Sequence, residues 1–383
     1  MVKRHIAQKL KDMAGKFPVI TVTGPRQSGK TTLCKQIFAD YHYVSLENPD
    51  MRLYAESDPR SFLEEYNEKT IIDEAQNVPQ LFSYIQGIVD ESKQMGQYIL
   101  SGSQNFLLLE KITQSLAGRT YIFHLLPFAH NEFAGHYEQD LFQSIYNGGY
   151  PAIYDKQLTP LDFFPSYAQT YIERDVRSIL QVKDLNLFNM FLRICAGRIG
   201  QLFNASDIGN EISVDHKTIQ SWLSILEASF IVYRLHPWHV NFNKRVVKTP
   251  KLYFYDTGLA CYLLGIRKAE ELNVHFAKGA LFENYVITEY IKNMRNAGDN
   301  SSPYFWRDNT GNEIDLLADL GRQIKIIEIK SGKTVKTDFF KGINFFEKIQ
   351  VDYDLEKYIV YGGDSGRKQY GTQVLPWNKV DGI

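Results

Sequence analysis

The sequence predicts an α/β protein whose first third is a layered fold on a parallel sheet with helices on both faces. Short apolar runs, rich in β-branched residues, recur there, and helix-length segments separate most of them. These runs are FPVITVTG, YHYVSL, KTIIDE, GQYILSGS and RTYIFHL. Continuous apolar runs are typical of strands buried on both faces, and their alternation with helices is typical of a parallel sheet.

The character of the chain changes after residue 140 and again near residue 266. The first predicted segment, 1–140, carries the parallel sheet, and the second, 141–265, has mainly helical patterns with a helix-turn-helix. In the third segment, 266–383, a helix at LFENYVITEYIKN precedes the short strands YFWRD, EIDLLAD and IKIIEIK. We therefore expect a small second α/β region after the helical segment. A chain of 383 residues has room for two or three domains.

The charges of the chain nearly cancel, with 43 basic against 44 acidic residues. A protein with one dominant nucleic-acid surface is often more basic, so any DNA contact is expected to be a local patch. Cys34, Cys195 and Cys261 form no CxxC pair, which argues against a zinc ribbon or a disulfide framework. The basic N-terminal segment lacks the apolar region of a signal peptide, and no apolar run is long enough for a bilayer. The sequence therefore predicts a cytoplasmic protein with no membrane partner.

A phosphate-binding motif directly follows the first predicted strand. Residues 24–31, GPRQSGKT, fit the P-loop pattern G-x-x-x-x-G-K-[ST] without a mismatch. The glycines let consecutive N–H groups surround phosphate oxygens, and the N-terminus of the next helix adds partial positive charge. Lys30 is predicted to reach the β and γ phosphates of ATP, and Thr31 to ligate Mg²⁺. The predicted nucleotide-binding residues are Gly24, Pro25, Arg26, Gln27, Ser28, Gly29, Lys30, Thr31 and Thr32.

A second strand supplies the acidic half of the predicted site. Asp73 ends the apolar part of KTIIDE and is predicted to bind Mg²⁺, and Glu74 is the predicted general base for the attacking water. A solvated acidic pair at the end of a strand is common. The position of this pair about 40 residues after Lys30, beyond a strand and a helix, favours the catalytic interpretation.

Two further positions are candidates for the ATPase reaction. Ser103 or Gln104 follows the strand QYILS, where an additional-strand ATPase senses the γ-phosphate, although polar residues end most strands. Arg119, in SLAGR, is a candidate to stabilise charge on the transferred phosphoryl group from a neighbouring subunit of a homo-oligomer. The sequence leaves action within one chain open as well. The alternative is a surface arginine that caps a helix end.

Several strings along nearly the whole chain resemble those of one family. They are TGPRQSGKTT, IIDEAQ, LSGSQNF, SLAGR, LLPFAHNEF, YIERDVR, KLYFYDTGLA, FENYVITEYIKN and EIKSGK. The chain resembles AAA-type prokaryotic P-loop ATPases that carry a C-terminal domain of uncharacterised function. The resemblance implies an additional-strand P-loop core, a helical or winged-helix middle segment, and a C-terminal region similar to restriction endonucleases. The cellular role of that family is largely unassigned.

The middle segment contains the predicted helix-turn-helix, with its turn at Ser213. The apolar residues at helical spacing are Ile208, Ile212, Ile219, Leu223 and Leu226. In DNA-binding domains of this type the second helix enters the major groove. The outward-facing residues of that helix are predicted to be His216, Lys217, Gln220 and Ser221. A protein–protein element is the alternative, because the helix carries only one lysine.

The C-terminal segment matches the layout of PD-(D/E)xK nucleases. Asp315 lies on one predicted strand, Glu328 and Lys330 lie on the next, and Glu283 lies on the preceding helix. In such sites the carboxylates bind Mg²⁺, and the lysine positions or activates water. Alternating Glu and Lys on a solvated strand is the plainer interpretation, and such folds also serve as binding modules.

The sequence therefore predicts a Mg²⁺-dependent ATPase whose nucleotide state controls a nucleic-acid-associated C-terminal region. ATP and Mg²⁺ are its predicted cofactors, and DNA is the predicted partner of the C-terminal half. The alternative is a signalling or scaffold ATPase whose C-terminal half binds a protein partner and has no nuclease activity.

Overall fold

The structure, a computed structural model, divides into two compact units. The described residues are 2–103, 115–172, 184–238, 248–350 and 352–383. The first unit contains the residues up to Phe128 with the short pieces 228–230 and 294–299, and the second contains the rest. Gln104, one of the two candidates for sensing the γ-phosphate, lies outside the described residues. No helix in the described part of the chain is long and apolar enough to cross a membrane.

The first unit is built on a five-stranded parallel sheet. Its strands are β1 (Val19–Thr23), β2 (His42–Ser45), β3 (Thr70–Asp73), β4 (Tyr98–Gly102) and β5 (Thr120–His124). They lie in the order β2-β3-β4-β1-β5. Because β4 lies between β1 and β3, the predicted additional-strand sheet is confirmed.

Helices cover both faces of this sheet. They are α1 (Ala7–Ala14), α2 (Lys30–Ile37), α3 (Pro49–Ser57), α4 (Pro59–Glu65) and α5 (Leu81–Ser92), with a 3-10 turn at Ala75–Asn77. Successive residues of a strand point to opposite faces, and the two apolar clusters of the unit follow that alternation. Ile99 of β4 belongs to the cluster that contains Leu10 and Leu33, whereas Leu100 belongs to the cluster that contains Phe82.

The second unit is built on an eight-stranded mixed sheet in the order β12-β13-β11-β10-β9-β8-β6-β7. The strands are β6 (Val232–Pro237), β7 (Lys251–Phe254), β8 (Tyr304–Arg307), β9 (Glu313–Asp319), β10 (Gln323–Lys330), β11 (Asp354–Tyr361), β12 (Arg367–Gln369) and β13 (Thr372–Pro376). Strands β8, β9 and β10 are antiparallel neighbours, and β11 runs parallel to β10. The sheet includes strands from the second and the third predicted segments. The division into three segments stays a prediction.

The helices of the second unit lie before, between and after these strands. They are α6 (His130–Phe133), α7 (Leu141–Asn147), α8 (Pro151–Asp155), α9 (Pro160–Tyr167), α10 (Leu185–Gly197), α11 (Ala205–Ile212), α12 (His216–Ala228), α13 (Thr257–Leu263), α14 (Lys278–Asn296) and α15 (Lys341–Ile349). A π-helical turn follows α9 at Ala168–Ile172, and 3-10 turns lie at Ala269–Asn273, Thr337–Phe340 and Val380–Gly382. Ser213 ends α11 with a φ of 56°, so the two helices meet at the turn that the sequence predicts.

The side chain of Asn284 continues the hydrogen bonding of β7, which is the last strand at one edge of this sheet. Asn284 is fully buried on α14. Its Oδ1 accepts from the N–H of Phe254 over 2.7 Å, and its Nδ2 donates to the carbonyl of Phe254 over 2.8 Å. Thr288 donates to the same carbonyl over 3.1 Å. The edge strand is thereby paired with a helix, which covers backbone groups that would otherwise be open.

Replacement of Asn284 by alanine is expected to lower the free energy of unfolding by about 2 kcal/mol or more. The reason is that the buried N–H of Phe254 loses its partner, and an unsatisfied buried donor is costly. Urea unfolding followed by circular dichroism measures the change. Gln220→Ala, at an exposed position of α12, is the control and should stay within about 0.5 kcal/mol of the wild type. Equal unfolding curves for the two variants would contradict the interpretation.

Candidate functional site

The P-loop, residues 24–31, leads from β1 into α2. Gly29 precedes α2 with a φ of 91°, a left-handed conformation that residues with a Cβ rarely adopt. A Cβ at Gly24 would lie 2.2 Å from the carbonyl oxygen of Leu125, so no side chain fits there. The two glycines therefore allow the tight backbone path that a phosphate-binding loop needs.

The ammonium group of Lys30 lies inside this loop. It donates hydrogen bonds to the carbonyl oxygens of Gly24 and Pro25, over 3.0 and 2.8 Å, and the residue is only 6% exposed. Burial lowers the pKa of Lys30 to about 8, although the carboxylates of Glu74 and Asp73 favour its charged form. A phosphate group at the loop would stabilise this buried positive charge.

Two oxygen atoms suited to a magnesium ion lie in direct contact. The hydroxyl of Thr31 donates to Oδ2 of Asp73 over 2.9 Å. Tyr43 donates to the same oxygen over 2.9 Å, and Ser101 donates to Oδ1. Hydroxyl and carboxylate oxygens are hard ligands of the kind that Mg²⁺ prefers. The donor set therefore fits the predicted magnesium site.

Glu74 follows β3 immediately and has a φ of 52°. Left-handed backbone in a residue with a side chain is uncommon and tends to occur at functional sites. Oε2 of Glu74 accepts hydrogen bonds from Oγ of Ser103, over 3.1 Å, and from Nε2 of Gln76. The structure therefore places Ser103 in contact with the predicted general base.

Two buried hydroxyl groups at the P-loop lack partners among the described residues. Oγ1 of Thr23 and Oγ of Ser28 make no hydrogen bond to any described residue. Ser28 lies in the P-loop and Thr23 immediately precedes it. Because unpaired buried polar atoms are costly, a bound phosphate or its hydration water would lower the free energy of this region. This observation fits a nucleotide at the loop.

Arg119 does not reach the nucleotide site of its own chain. Its carbonyl accepts from the N–H of Val19, at the start of β1, whereas the P-loop begins after the last residue of that strand. Its guanidinium forms two hydrogen bonds with Asp90, of 2.6 and 2.8 Å. Arg119 therefore lies at the start of the strands, whereas the P-loop lies at their carboxyl ends. This position excludes action of Arg119 on the nucleotide site of its own chain. Action across a subunit boundary stays a prediction.

Sequence reasoning missed three side chains around the P-loop site. Tyr43 and Ser101 bind Asp73, and they lie on the two strands that flank β3. The order of strands in an additional-strand sheet could have indicated that they lie close to Asp73. Arg4 is buried before α1 and donates to the carbonyl oxygens of Ser28 and Leu126, over 3.1 and 2.8 Å. Nothing in the sequence around Arg4 indicates a contact with the P-loop, because that contact depends on how α1 packs.

Carboxylates of the second unit meet in a separate group. Oxygen atoms of Glu283, Glu313 and Asp315 lie within 4.8 Å of one another. Glu313 was missed by sequence reasoning. The predicted ligand Glu328 is not one of these three, and its carboxylate accepts from the ammonium of Lys330 over 2.5 Å. Lys330 also donates to Asp315, over 3.2 Å, so Asp315, Glu328 and Lys330 form one hydrogen-bonded group, and Glu283 and Glu313 lie close to Asp315.

The acidic groups of this network differ in their affinity for protons. Burial and then the adjacent Asp315 raise the pKa of Glu328 well above its usual range. Burial opposes the charge of Asp315, but Lys330 and a second lysine, Lys251, hold its pKa below the usual range. Burial also raises the pKa of Glu283. Among Glu283, Asp315 and Glu328, Asp315 is therefore the carboxylate most favoured to stay ionised.

Lys251 of β7 brings a cation to the carboxylates, and sequence reasoning missed it. Its Nζ donates to Glu283 over 3.1 Å and forms an ion pair with Glu313. Burial opposes the charge of Lys251, but Glu283 and Glu313 outweigh that effect and raise its pKa above the ordinary value. Tyr253, two residues further along β7, donates to Glu283 over 2.5 Å.

Three segments of the chain match known families. Residues 16–134 match a family described as an AAA domain. Residues 138–270 and 278–380 match two families described as domains of unknown function, DUF8612 and DUF4143. With the additional-strand sheet and the P-loop, the match supports an AAA-type P-loop ATPase domain in the first unit.

Relatives of this chain are themselves uncharacterised. Proteins of Mycobacterium bovis and Mycobacterium tuberculosis are each 28% identical over 338 residues, which is 87% of this chain and 74% of theirs. A protein of Haemophilus influenzae is 25% identical over 211 residues, 51% of this chain and 50% of its own.

Two solved structures share weaker similarity. A Walker-type ATPase of Pyrococcus abyssi is 14% identical with a TM-score of 0.43, covering 67% of this chain and 94% of its own. AMPPCP-bound DnaA from Aquifex aeolicus is 14% identical with a TM-score of 0.32, covering 58% of this chain and 85% of its own.

Replacement of Lys30 by alanine is expected to lower the affinity for ATP at least tenfold, or about 1.4 kcal/mol. The variant loses the buried cation that faces the phosphates in the predicted binding mode. Isothermal titration calorimetry with ATP and Mg²⁺ measures the change. Lys16→Ala, at an exposed lysine just before β1, is the control and should bind ATP as the wild type does. Unchanged affinity in Lys30→Ala contradicts the assignment of the P-loop.

Proposed function

We propose that the first unit binds ATP with Mg²⁺ and hydrolyses it. The observation that carries this proposal is the 2.9 Å contact between the Thr31 hydroxyl and Asp73, with Glu74 next in sequence. A metal ligand from the P-loop, a metal ligand from β3 and a general base are the parts that phosphoryl transfer to water requires. The match to an AAA domain supports the same activity.

Each residue of the site has a distinct role in this reaction. The backbone of residues 24–32 surrounds the phosphates, and Lys30 neutralises charge on the β and γ groups. Thr31 and Asp73 hold Mg²⁺, which stabilises the charge that develops on the phosphoryl oxygens. Glu74 accepts the proton of the attacking water. Ser103, whose hydroxyl donates to Glu74, is proposed to position that carboxylate and to sense the γ-phosphate.

Replacement of Glu74 by glutamine should leave ATP binding intact and lower the turnover rate by about 10²–10⁴. Glutamine keeps the size and the hydrogen bonding of the side chain but is not basic enough to take a proton from water. Phosphate release and ATP affinity, measured on the same preparation, separate the two effects. Glu68→Gln, at an exposed position before β3, serves as the control with normal turnover. A wild-type rate in Glu74→Gln rules out Glu74 as the base.

For the second unit we propose a nucleic-acid-associated role controlled by the nucleotide state of the first. Two observations support it. Of the predicted nuclease-like residues, Lys330 binds both Asp315 and Glu328, and Glu283 lies close to Asp315. In addition, α12 follows a tight turn and carries exposed His216, Lys217 and Gln220, as expected of a helix that reads DNA.

A protein partner is the second candidate for this unit. The specific observation in its favour is the acidic character around α12, where Asp207, Glu211 and Asp215 are close in sequence to Lys217. Phosphate backbones repel such a surface, whereas a basic protein surface would be attracted. In this alternative, ATP state controls a scaffold or signalling contact, and no nucleic acid is cleaved.

Salt dependence of DNA binding distinguishes the two candidates. If α12 contacts DNA, affinity measured by fluorescence anisotropy falls steeply with salt, and Lys217→Ala lowers the salt slope by about 1. Lys348→Ala, at an exposed position on α15, is the control and should leave the slope unchanged. The full chain is used with and without ATP, because the proposal links binding to nucleotide state. Absence of salt-dependent binding in both states favours the protein partner.

A further inference from the structure

The carboxylate cluster, defined as Glu283, Glu313, Asp315 and Glu328, contains its own cations. Lys330 binds Asp315 and Glu328, as described above, and Lys251 binds Glu283 and Glu313. Arg307 also lies 3.5 Å from Glu313. Every carboxylate of the cluster therefore has a positively charged partner from this chain.

Lys251 is buried far more deeply than an ordinary ion-pairing lysine. Its side chain is 4% exposed, and its Nζ lies 5.4 Å from the centroid of the Phe305 ring. Moving an ammonium group out of water is costly unless charged partners compensate for it. Glu283 and Glu313 provide that compensation, so the lysine and the two carboxylates stabilise one another.

The ammonium group contacts two of the three carboxylates that could hold a metal ion. A divalent cation held by Glu283, Glu313 and Asp315 needs their oxygens at about 2.0–2.6 Å. Nζ of Lys251 already lies 3.1 Å from Oε1 of Glu283 and binds Glu313 as well. Two cations that share the same carboxylate oxygens repel each other strongly in a buried site. Metal and lysine are therefore expected to exclude each other.

We propose that Lys251 is the resident cation of the carboxylate cluster and occupies the place of a divalent metal between Glu283 and Glu313. Metal binding at the cluster then requires the Lys251 side chain to withdraw. This contact holds the nuclease-like centre in a metal-free form, and it concerns the second unit independently of ATP hydrolysis in the first.

The test uses the full chain without nucleotide and follows thermal unfolding during titration with Mn²⁺ to millimolar concentration. In the wild type, Mn²⁺ should not raise the melting temperature by binding at the carboxylate cluster. Lys251→Met keeps the length of the side chain but removes its charge, so it should melt lower without metal. Mn²⁺ should then raise its melting temperature by several degrees, because a ligand that binds only the folded state stabilises it.

Matched variants assign the effect to the cluster. Lys251→Arg keeps a cation in place and should show no gain with Mn²⁺. Within the Lys251→Met background, Asp315→Asn should abolish the gain, because it removes a ligand of the cluster. Asp73→Asn in the same background should retain the gain, because Asp73 belongs to the P-loop site.

Two results would overturn the proposal. One is a folded Lys251→Met protein that shows no response to Mn²⁺ dependent on Asp315. The other is a wild-type protein that binds Mn²⁺ at millimolar concentration in a manner abolished by Asp315→Asn, because Lys251 would then not keep the cluster free of metal. Paramagnetic resonance of bound Mn²⁺ compares the wild type with Asp315→Asn. This comparison tests the proposal even when Lys251→Met does not fold. Absence of Asp315-dependent binding in the wild type supports the proposal.

Discussion

The contact between the Thr31 hydroxyl and the Asp73 carboxylate depends on the order of strands in the first sheet. Thr31 follows β1 through the P-loop, and Asp73 ends β3, so the two residues come from strands that are separated by β4. All these strands are parallel, so their carboxyl ends lie at one edge, where α2 also begins. β4 contributes Ser101, which binds Asp73 between them. The positions of the other site residues of the first unit depend on the same order and direction of strands.

Much of the first unit could be predicted from the sequence, because its signals are local. The apolar runs and the P-loop pattern sufficed for the parallel sheet, and the fold prediction was confirmed. Arg119 shows the limit of such reasoning. Its position in the sequence matched a catalytic role. The residue precedes β5, however, and in a parallel sheet the start of a strand lies at the end away from the P-loop. A motif gives the order of residues but not which end of a strand they occupy.

The second unit was harder to predict, because its cluster combines residues that are distant in sequence. Glu283, Asp315, Glu328 and Lys330 were found because they fit a known spacing. Glu313 lies only two residues before Asp315, and the alternation of side chains along a strand offered a signal for it. No pattern in the sequence indicated that Lys251 lies near the carboxylates, because its position depends on the pairing of β6 with β8. Sequence patterns identify acidic ligands more readily than the cations that neutralise them.

The ion pairs of Glu283 and Glu313 with Lys251 bear on whether the C-terminal region can fold as an independent domain. A fragment that began at residue 266 would contain both carboxylates but neither Lys251 nor Tyr253. It would also lack β6 and β7, so the edge of β8 that pairs with β6 would lose its partner. Such a fragment is expected to aggregate or to take up protons or metal in place of the missing lysine. Any cation binding seen in the isolated fragment would then be a property created by the cut.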